Sequence, residues 1–293
     1  MENQCGIPKN WLEEENVTIL LWSERSLPVR KRDSHKGDYG KVLILGGSVG
    51  YTGAVSMCTH AAVRSGAGLV SVGVPESIYP IIAVKQDVAM PFPMSEPLQA
   101  RNVLGKLDWC DVCVIGPGMG RVQSTQTFIQ DILRESTVPT VVDADGLFAL
   151  SRDMKLLEEA KAPCILTPHA GEFARLGGEL TDNRVADARR FVERHPCVLV
   201  LKGHRTVVVF PDGRAYILAA GNPGMSKGGS GDVLAGILGG LLGQLPLEEA
   251  VLTGVCIHAA AGDLCAEELG EYAMTPMDMI NALPAVTKSM TGR

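Results

Sequence analysis

The chain has 293 residues, 46% of them apolar and 20% charged, and so hydrophobic a chain buries a large core, which excludes a disordered or fibrous protein. Lys plus Arg number 27 against 33 Asp plus Glu, and the resulting charge of −6 repels a phosphate backbone, so nucleic acid is not an expected partner. The 33 glycines exceed by about a dozen the number that ordinary usage of about 7% gives, so the surplus needs a backbone reason.

The start Met1-Glu2-Asn3-Gln4 has no basic segment, and no apolar run precedes Glu13-Glu14-Glu15, so no secretory signal is expected. The longest apolar run, 233–242, falls short of the ~20 residues a membrane span needs, which points to a cytoplasmic protein off the membrane. Eight cysteines, at 5, 58, 110, 113, 164, 197, 256 and 265, lie mostly inside apolar runs, the pattern of reduced, buried thiols. Cys110 and Cys113 form a lone CxxC whose thiols would face opposite sides of a strand, so no zinc site is expected. Residues 1–35 read as an N-terminal extension to one domain over 36–293. The basic run Arg30-Lys31-Arg32 reads as a solvated loop.

Short β-branched runs recur at 42–45, 69–74, 112–115, 140–142, 164–166 and 198–201, the composition of buried parallel strands. Helical spacing fills gaps between them at 53–65, 124–134 and 182–194, with Asp182 placed to cap the last. After residue 201 the pattern changes, because runs at 206–210 and 214–218 flank Pro211-Asp212-Gly213, a hairpin turn. Helical patterns at 229–242, 247–268 and 277–287 close the chain. The alternation predicts an α/β protein, a three-layer αβα sandwich with a mostly parallel central sheet and an antiparallel edge hairpin.

Glycine-rich turns follow the strands. The longest, Gly221-Asn222-Pro223-Gly224-Met225-Ser226-Lys227-Gly228-Gly229-Ser230-Gly231-Asp232, leads into an apolar helix. Backbone N–H groups without Cβ obstruction converge on an anion at such a turn, and the helix dipole adds favourable potential. Asp232 sets a carboxylate beside that anion hole. It is suited to taking a hydroxyl proton while the N–H groups of Gly229, Ser230 and Gly231 hold an arriving phosphoryl group. The same Asp232 also reads as a plain N-cap. Farther along, Gly236, Gly239, Gly240 and Gly243 each cost about 0.5–1 kcal/mol relative to alanine, which suggests close packing.

Two other turns, from Gly46 to Ala54 and Gly116-Pro117-Gly118-Met119-Gly120, follow strands in the same way. Neither matches GxGxxG, so a conventional dehydrogenase is not expected. Asp143-Ala144-Asp145-Gly146, Thr167-Pro168-His169-Ala170-Gly171-Glu172 and Lys202-Gly203-His204-Arg205-Thr206 also end strands, so their polar groups gather at one sheet edge. Taken singly, the His169 segment reads equally as a helix cap and the Lys202 segment as a surface turn.

Seven motifs in order, Lys36-Gly37-Asp38-Tyr39-Gly40, GGSVGYTGA from Gly46, GPGMG from Gly116, DADGL from Asp143, TPHAGE from Thr167, KGHRT from Lys202 and GNPGMSKGGSGD from Gly221, carry a family likeness. From about Ser34 onward the chain resembles the ADP- or ATP-dependent NAD(P)H-hydrate dehydratases of the ribokinase-like superfamily. The resemblance implies repair of NADH or NADPH whose nicotinamide ring has taken up water: the S epimer, NADHX or NADPHX, is dehydrated while ADP or ATP is consumed. By the family's pattern, Ala54, Gly118, Gly120, His169 and Asp232 map to the hydrate site. Lys202, Gly203, His204, Arg205, Thr206 and Gly231 map to the ADP or ATP site. Asp232 would be the base, a weak one at a helix N-terminus that captures its proton late, and Glu172 would help place Mg²⁺ through water.

The resemblance further implies a homotetramer. Larger relatives carry an additional epimerase domain, which a chain of this length does not hold, so a separate epimerase is the expected functional partner. Two other classes share part of the pattern. A vitamin-precursor kinase of the same superfamily shares GSGD but releases a phosphorylated alcohol, and a nucleotide-sensing module is expected to have a broken GSGD.

Overall fold

Strict alternation within the strands sets the layering. In β2 (Lys41–Leu45) Val42 and Ile44 turn to one face of the sheet and Leu43 and Leu45 to the other, and all four are fully buried. The structure, a computed structural model, describes residues 6–292; Cys5 and the Met1-Glu2-Asn3-Gln4 start lie outside the described residues. The other strands are β1 (Val17–Leu20), β3 (Leu69–Pro75), β4 (Met90–Met94), β5 (Val112–Ile115), β6 (Thr140–Val142), β7 (Cys164–Leu166), β8 (Val198–Leu201), β9 (Val207–Val209) and β10 (Ala215–Leu218). They form one sheet in the order β1-β10-β9-β8-β7-β6-β5-β2-β3-β4, in which β9 alone runs against its neighbours.

Helices cover both faces. The Leu43 face packs against α1 (Lys9–Leu12), α4 (Leu104–Trp109), α5 (Gln123–Glu135), α6 (Asp145–Leu150), α7 (Leu156–Glu159), α8 (Ala170–Arg175) and α9 (Arg184–Arg194) through Phe128, Phe173 and Phe191. The Val42 face packs against α2 (Thr52–Arg64), α3 (Tyr79–Lys85), α10 (Ser230–Leu242) and α11 (Leu247–Ala273). Behind these lies α12 (Pro276–Met290), seated on α10 and α11 by Met279, Ile280 and Leu283. By length and composition α11 could cross a membrane, but 72% of its apolar window is buried inside the protein, as in a core helix. It outruns the expected 247–268 to Ala273, with Gly270 at φ 76° breaking the helical backbone.

Two strands had no sequence signal. β1 lies within the residues read as an extension, yet it pairs with β10 in register Val17↔Ala215 and so stands outside the expected hairpin at that edge. Trp11 anchors the same segment, donating from Nε1 to the Asp182 carbonyl at 2.6 Å. At the other edge β4 carries Pro91 and Pro93, which lack the N–H groups that a further strand would use. One cap also differs from expectation. Asn183, not Asp182, caps α9, its side chain accepting from the N–H groups of Val185 and Ala186.

The helical glycines have a steric reason. A Cβ on Gly236 would lie 2.1 Å from the Cys58 carbonyl oxygen, and one on Gly240 2.7 Å from that of Ala62. The backbones of α2 and α10 therefore touch. Both contacts advance along the two helices together, so α2 and α10 run parallel and present their N-termini at the same sheet edge. The seven described cysteines are free and buried.

Candidate functional site

The glycine-rich segment before α10 takes the shape of an anion hole, with two corrections. Gly229, at φ 107°, is the N-cap, a conformation that residues with a Cβ rarely adopt. Asp232 is therefore not the cap but the third residue of the helix. The Ser230 N–H is occupied by the Lys227 carbonyl at 3.3 Å, whereas the N–H groups of Gly231 and Asp232 belong to the first turn, where no helical partner exists. Ser230 supplies something else: its hydroxyl is buried and has no hydrogen-bond partner among the described residues.

Around this turn lie one lysine and several carboxylates. Asp143, at the end of β6 and 1% exposed, accepts through Oδ1 from Thr167 Oγ1 at 2.6 Å and from Lys202 Nζ at 2.9 Å. Lys202 Nζ also lies 3.7 Å from Glu172 Oε2. Burial alone would pull the Lys202 ammonium down, but Asp143 and Glu172 outweigh it and the net shift is upward. Asp232 is pushed up to about 7, first by burial and then by the Asp143 charge, with Lys202 opposing. The weak base expected at a helix N-terminus is instead half ionised near neutrality. The dipole that would keep it acidic is overridden by desolvation and a like charge.

On one side of Asp232 is a cavity of about 670 Å³. Its walls include Lys202, Gly203, His204, Arg205 and Thr206, together with Gly231, Ser230 and His169, so the residues mapped to the nucleotide are brought together. His169 shares this cavity rather than being gathered with the rest of the hydrate set. Its Nδ1 accepts from the N–H groups of Gly171 and Glu172, and Glu172 Oε2 accepts from its N–H at 2.9 Å, so the helix-cap reading of this segment holds as well.

The opposite wall is the segment 221–227, which is tied to α11 at both ends. Asp263 accepts from the Gly221 N–H and from Asn222 Nδ2, each at 2.9 Å. Lys227 Nζ donates to the carbonyls of Glu271, Tyr272 and Met274 at the C-terminal end of α11, where helical carbonyls run out of N–H partners. Behind the turn, the His258 Nε2 bonds to the Ser230 carbonyl at 2.9 Å. A carbonyl only accepts, so Nε2 carries the proton, and burial holds this imidazole down at about 4, neutral at pH 7. Asp143, Lys227, His258 and Asp263 were not singled out from the sequence. Asp143 alone had a signal, its place in a strand-end DADG.

On the other side, the turns after β2 and β5 are joined. Gly47 N–H donates to the Pro117 carbonyl at 2.8 Å, and Ser48 Oγ to that of Gly118 at 2.8 Å. A Cβ on Gly118 would lie 3.0 Å from that of Ala54 and 2.9 Å from the Tyr51 carbonyl, so Ala54 and Gly118 are in contact. Gly120 N–H is taken by Asp145 Oδ2 at 2.8 Å. Asp145 in turn is one of the charges acting on Asp232, so this group is electrostatically linked to the base.

Comparison with known proteins identifies the family. Residues 42–285 match the family model for NAD(P)H-hydrate dehydratase. The chain belongs to the NAD(P)H-hydrate dehydratase family. It is 40% identical over 301 residues to the bifunctional NAD(P)H-hydrate repair enzyme of Moorella thermoacetica, covering 97% of this chain but 57% of that one, so it spans little more than half of that relative. With the ADP-dependent (S)-NAD(P)H-hydrate dehydratase of Bacillus subtilis it shares 32% identity over 281 residues, covering 93% of this chain and 99% of that one. The crystal structure of the Bacillus subtilis ADP/ATP-dependent NAD(P)H-hydrate dehydratase, co-crystallised with ATP and Mg²⁺, superposes with a TM-score of 0.79 at 32% identity, covering 90% and 95% of the two chains. The fold is thus the expected ribokinase-like sandwich.

Proposed function

We propose that the protein dehydrates the S epimer of hydrated NADH or NADPH, NADHX or NADPHX, consuming ADP or ATP. Family membership supports the reaction class. The observation that carries the mechanism is Asp232, next in the helix to the cavity-lining Gly231 and pushed up to about 7. A carboxylate with that affinity for protons takes the ring hydroxyl's proton efficiently near neutral pH.

In this reading the hydroxyl oxygen forms a bond to the terminal phosphorus, the bond to the leaving nucleotide breaks, and the hydroxyl proton passes to Asp232. The phosphate then departs with the carbon–oxygen electron pair as the ring nitrogen's lone pair moves in. Loss of a proton from the neighbouring ring carbon to water restores the dihydronicotinamide. Gly231 and Asp232 N–H groups and the Ser230 hydroxyl hold the phosphoryl oxygens. The segment 202–206 and the pinned segment 221–227 hold the nucleotide, while Ala54, Gly118, Gly120 and His169 bound the hydrate.

Magnesium fits as an ion carried by the polyphosphate. No group of three or more His, Cys, Asp or Glu side chains able to hold a metal is found among the described residues. Yet Asp143, Glu172 and Asp232 face a single lysine, and a polyphosphate adds more negative charge. Mg²⁺ would supply the missing neutralisation, with Glu172 placing it through water. A cytoplasmic homotetramer with a functional link to NAD(P)HX epimerisation completes the reading. Sedimentation of the purified protein tests the tetramer.

The deciding experiment incubates hydrated NADH and NADPH with ADP or ATP and Mg²⁺ and follows absorbance at 340 nm. Recovery that depends on nucleotide is expected. Accumulation of a phosphorylated product without recovery would instead mark a vitamin-type kinase, and nucleotide binding without turnover a sensor.

A further inference from the structure

Lys202 was assigned with the nucleotide and lines the cavity, and its ammonium reaches the start of α10. A Cβ on Gly231 would lie 3.1 Å from Lys202 Nζ and 3.7 Å from Asp143 Oδ2. Gly231 has no positive φ, so a side chain at residue 231 would be limited by this ammonium, which would have to shift by a few tenths of an ångström, and not by backbone conformation. One Nζ hydrogen is bound to Asp143 Oδ1 at 2.9 Å, and the Glu172 carboxylate at 3.7 Å lies beyond hydrogen-bond distance. An ammonium has three donors. Donors therefore remain beside Gly231, and the cavity that Lys202 and Gly231 line also carries the unpartnered Ser230 hydroxyl.

We propose that Lys202 is a catalytic residue that contacts the transferring phosphoryl group, and that Asp143 is the positioning residue that holds it there. This deepens the proposed function and rests on it. As the hydroxyl oxygen forms its bond to phosphorus and the bond to the leaving nucleotide breaks, the hydroxyl proton goes to Asp232 and the electron pair to the leaving oxygen. Lys202 gives up no atom. Its charge meets the negative charge spread over the phosphoryl oxygens in a loose transition state. Asp143, fixed by Thr167 Oγ1 at 2.6 Å, stops the flexible lysine stem from swinging into the cavity.

The test compares wild type with Lys202→Met by calorimetric titration of AMP and of ADP, the nucleotides left when ADP or ATP is the donor, each with Mg²⁺ and with and without aluminium fluoride, alongside the 340 nm assay. In wild type, fluoride complexes that mimic the transferring phosphoryl are expected to tighten binding of one of the two nucleotides at least tenfold. In Lys202→Met, affinity for that nucleotide should stay within about fivefold while the tightening is lost, and kcat should fall about 10²–10³-fold with KM for the donor little changed. Equal loss of its affinity with and without fluoride would make Lys202 a nucleotide anchor and overturn the proposal. No tightening in wild type would overturn it too. Should Lys202→Met leave Asp143 uncompensated and fail to fold, Lys202→Met with Asp143→Asn removes both charges, and the same outcomes apply. If wild type restores no NADH or NADPH, the proposed substrate fails, while the fluoride titration still reads Lys202.

Discussion

Two glycine-rich turns open two parallel helices, α2 and α10, each 13 residues long, at the same edge of the sheet. Their chemistry is opposite. The turn before α10 is lined by Asp232, Lys202, Asp143 and an orphaned buried hydroxyl. The first turn of α2 has no acidic residue, and the turn leading into it exposes Val49 and Tyr51. A helix N-terminus offers the same dipole in both cases. What makes one of them a candidate for chemistry is the burial of charge next to it, and the other turn offers shape.

The sharpest way to break this contrast is Asp232→Asn, expected to lower kcat about 10²–10⁴-fold, whereas Tyr51→Ala should raise KM for the hydrate several-fold with kcat within about threefold. Steady-state kinetics on both variants decides it; a comparable loss of kcat in each would erase the distinction. In wild type, kcat/KM should climb with pH up to about 7 and level off above it, because the base must be ionised.

The same burial has a stability consequence. Asp232 holds its proton to about 7 in the folded chain but to about 3.8 when unfolded, so folding loses stability as pH rises from the unfolded value to about 7, with no loss below that window and no further loss above it. Asp232→Asn should therefore gain stability at pH 8, by up to about 4 kcal/mol, with the gain vanishing near pH 4. Denaturant melts at the two pH values check it, and a variant less stable than wild type at pH 8 would contradict the electrostatic account.

Packing between the helices comes next. Gly236→Ala puts a Cβ 2.1 Å from the Cys58 oxygen and should cost about 3 kcal/mol by forcing α2 and α10 apart. Gly53→Ala, in the first turn of α2, meets nothing within 4 Å and should instead add about 0.5–1 kcal/mol. Thermal melts of the pair give opposite signs if the steric reading is right. The smallest effect expected is that of Lys227→Met, a rise of several-fold in KM for the nucleotide as segment 221–227 loosens from α11.

How much the sequence revealed follows burial. β5, β6, β7 and β8 occupy the residues expected because a fully buried β-branched run bounded by polar turns has one reading. β1 and β4 escaped notice because edge strands are half wet and β4 contains two prolines. In the site, residues within strand-end motifs were legible as types, since a glycine turn after a strand has a limited set of uses. Their partners were not. The tie of Asp143 to Lys202 spans 59 positions, and Asp263 and Lys227 act through backbone atoms that no side-chain pattern encodes. Nor does the local sequence around Asp232 reveal its basicity, which comes first from burial and then from carboxylates on two other segments.

The pairing of β1 with β10 bears on how the fold closes. Val17 and its partner Ala215 stand 198 positions apart, with the other eight described strands between them. β1 cannot be seated until β10 exists, and β10 exposes an unpaired parallel edge until it is. Val17, Ile19 and Leu20 must therefore be kept from other partners while the intervening strands form.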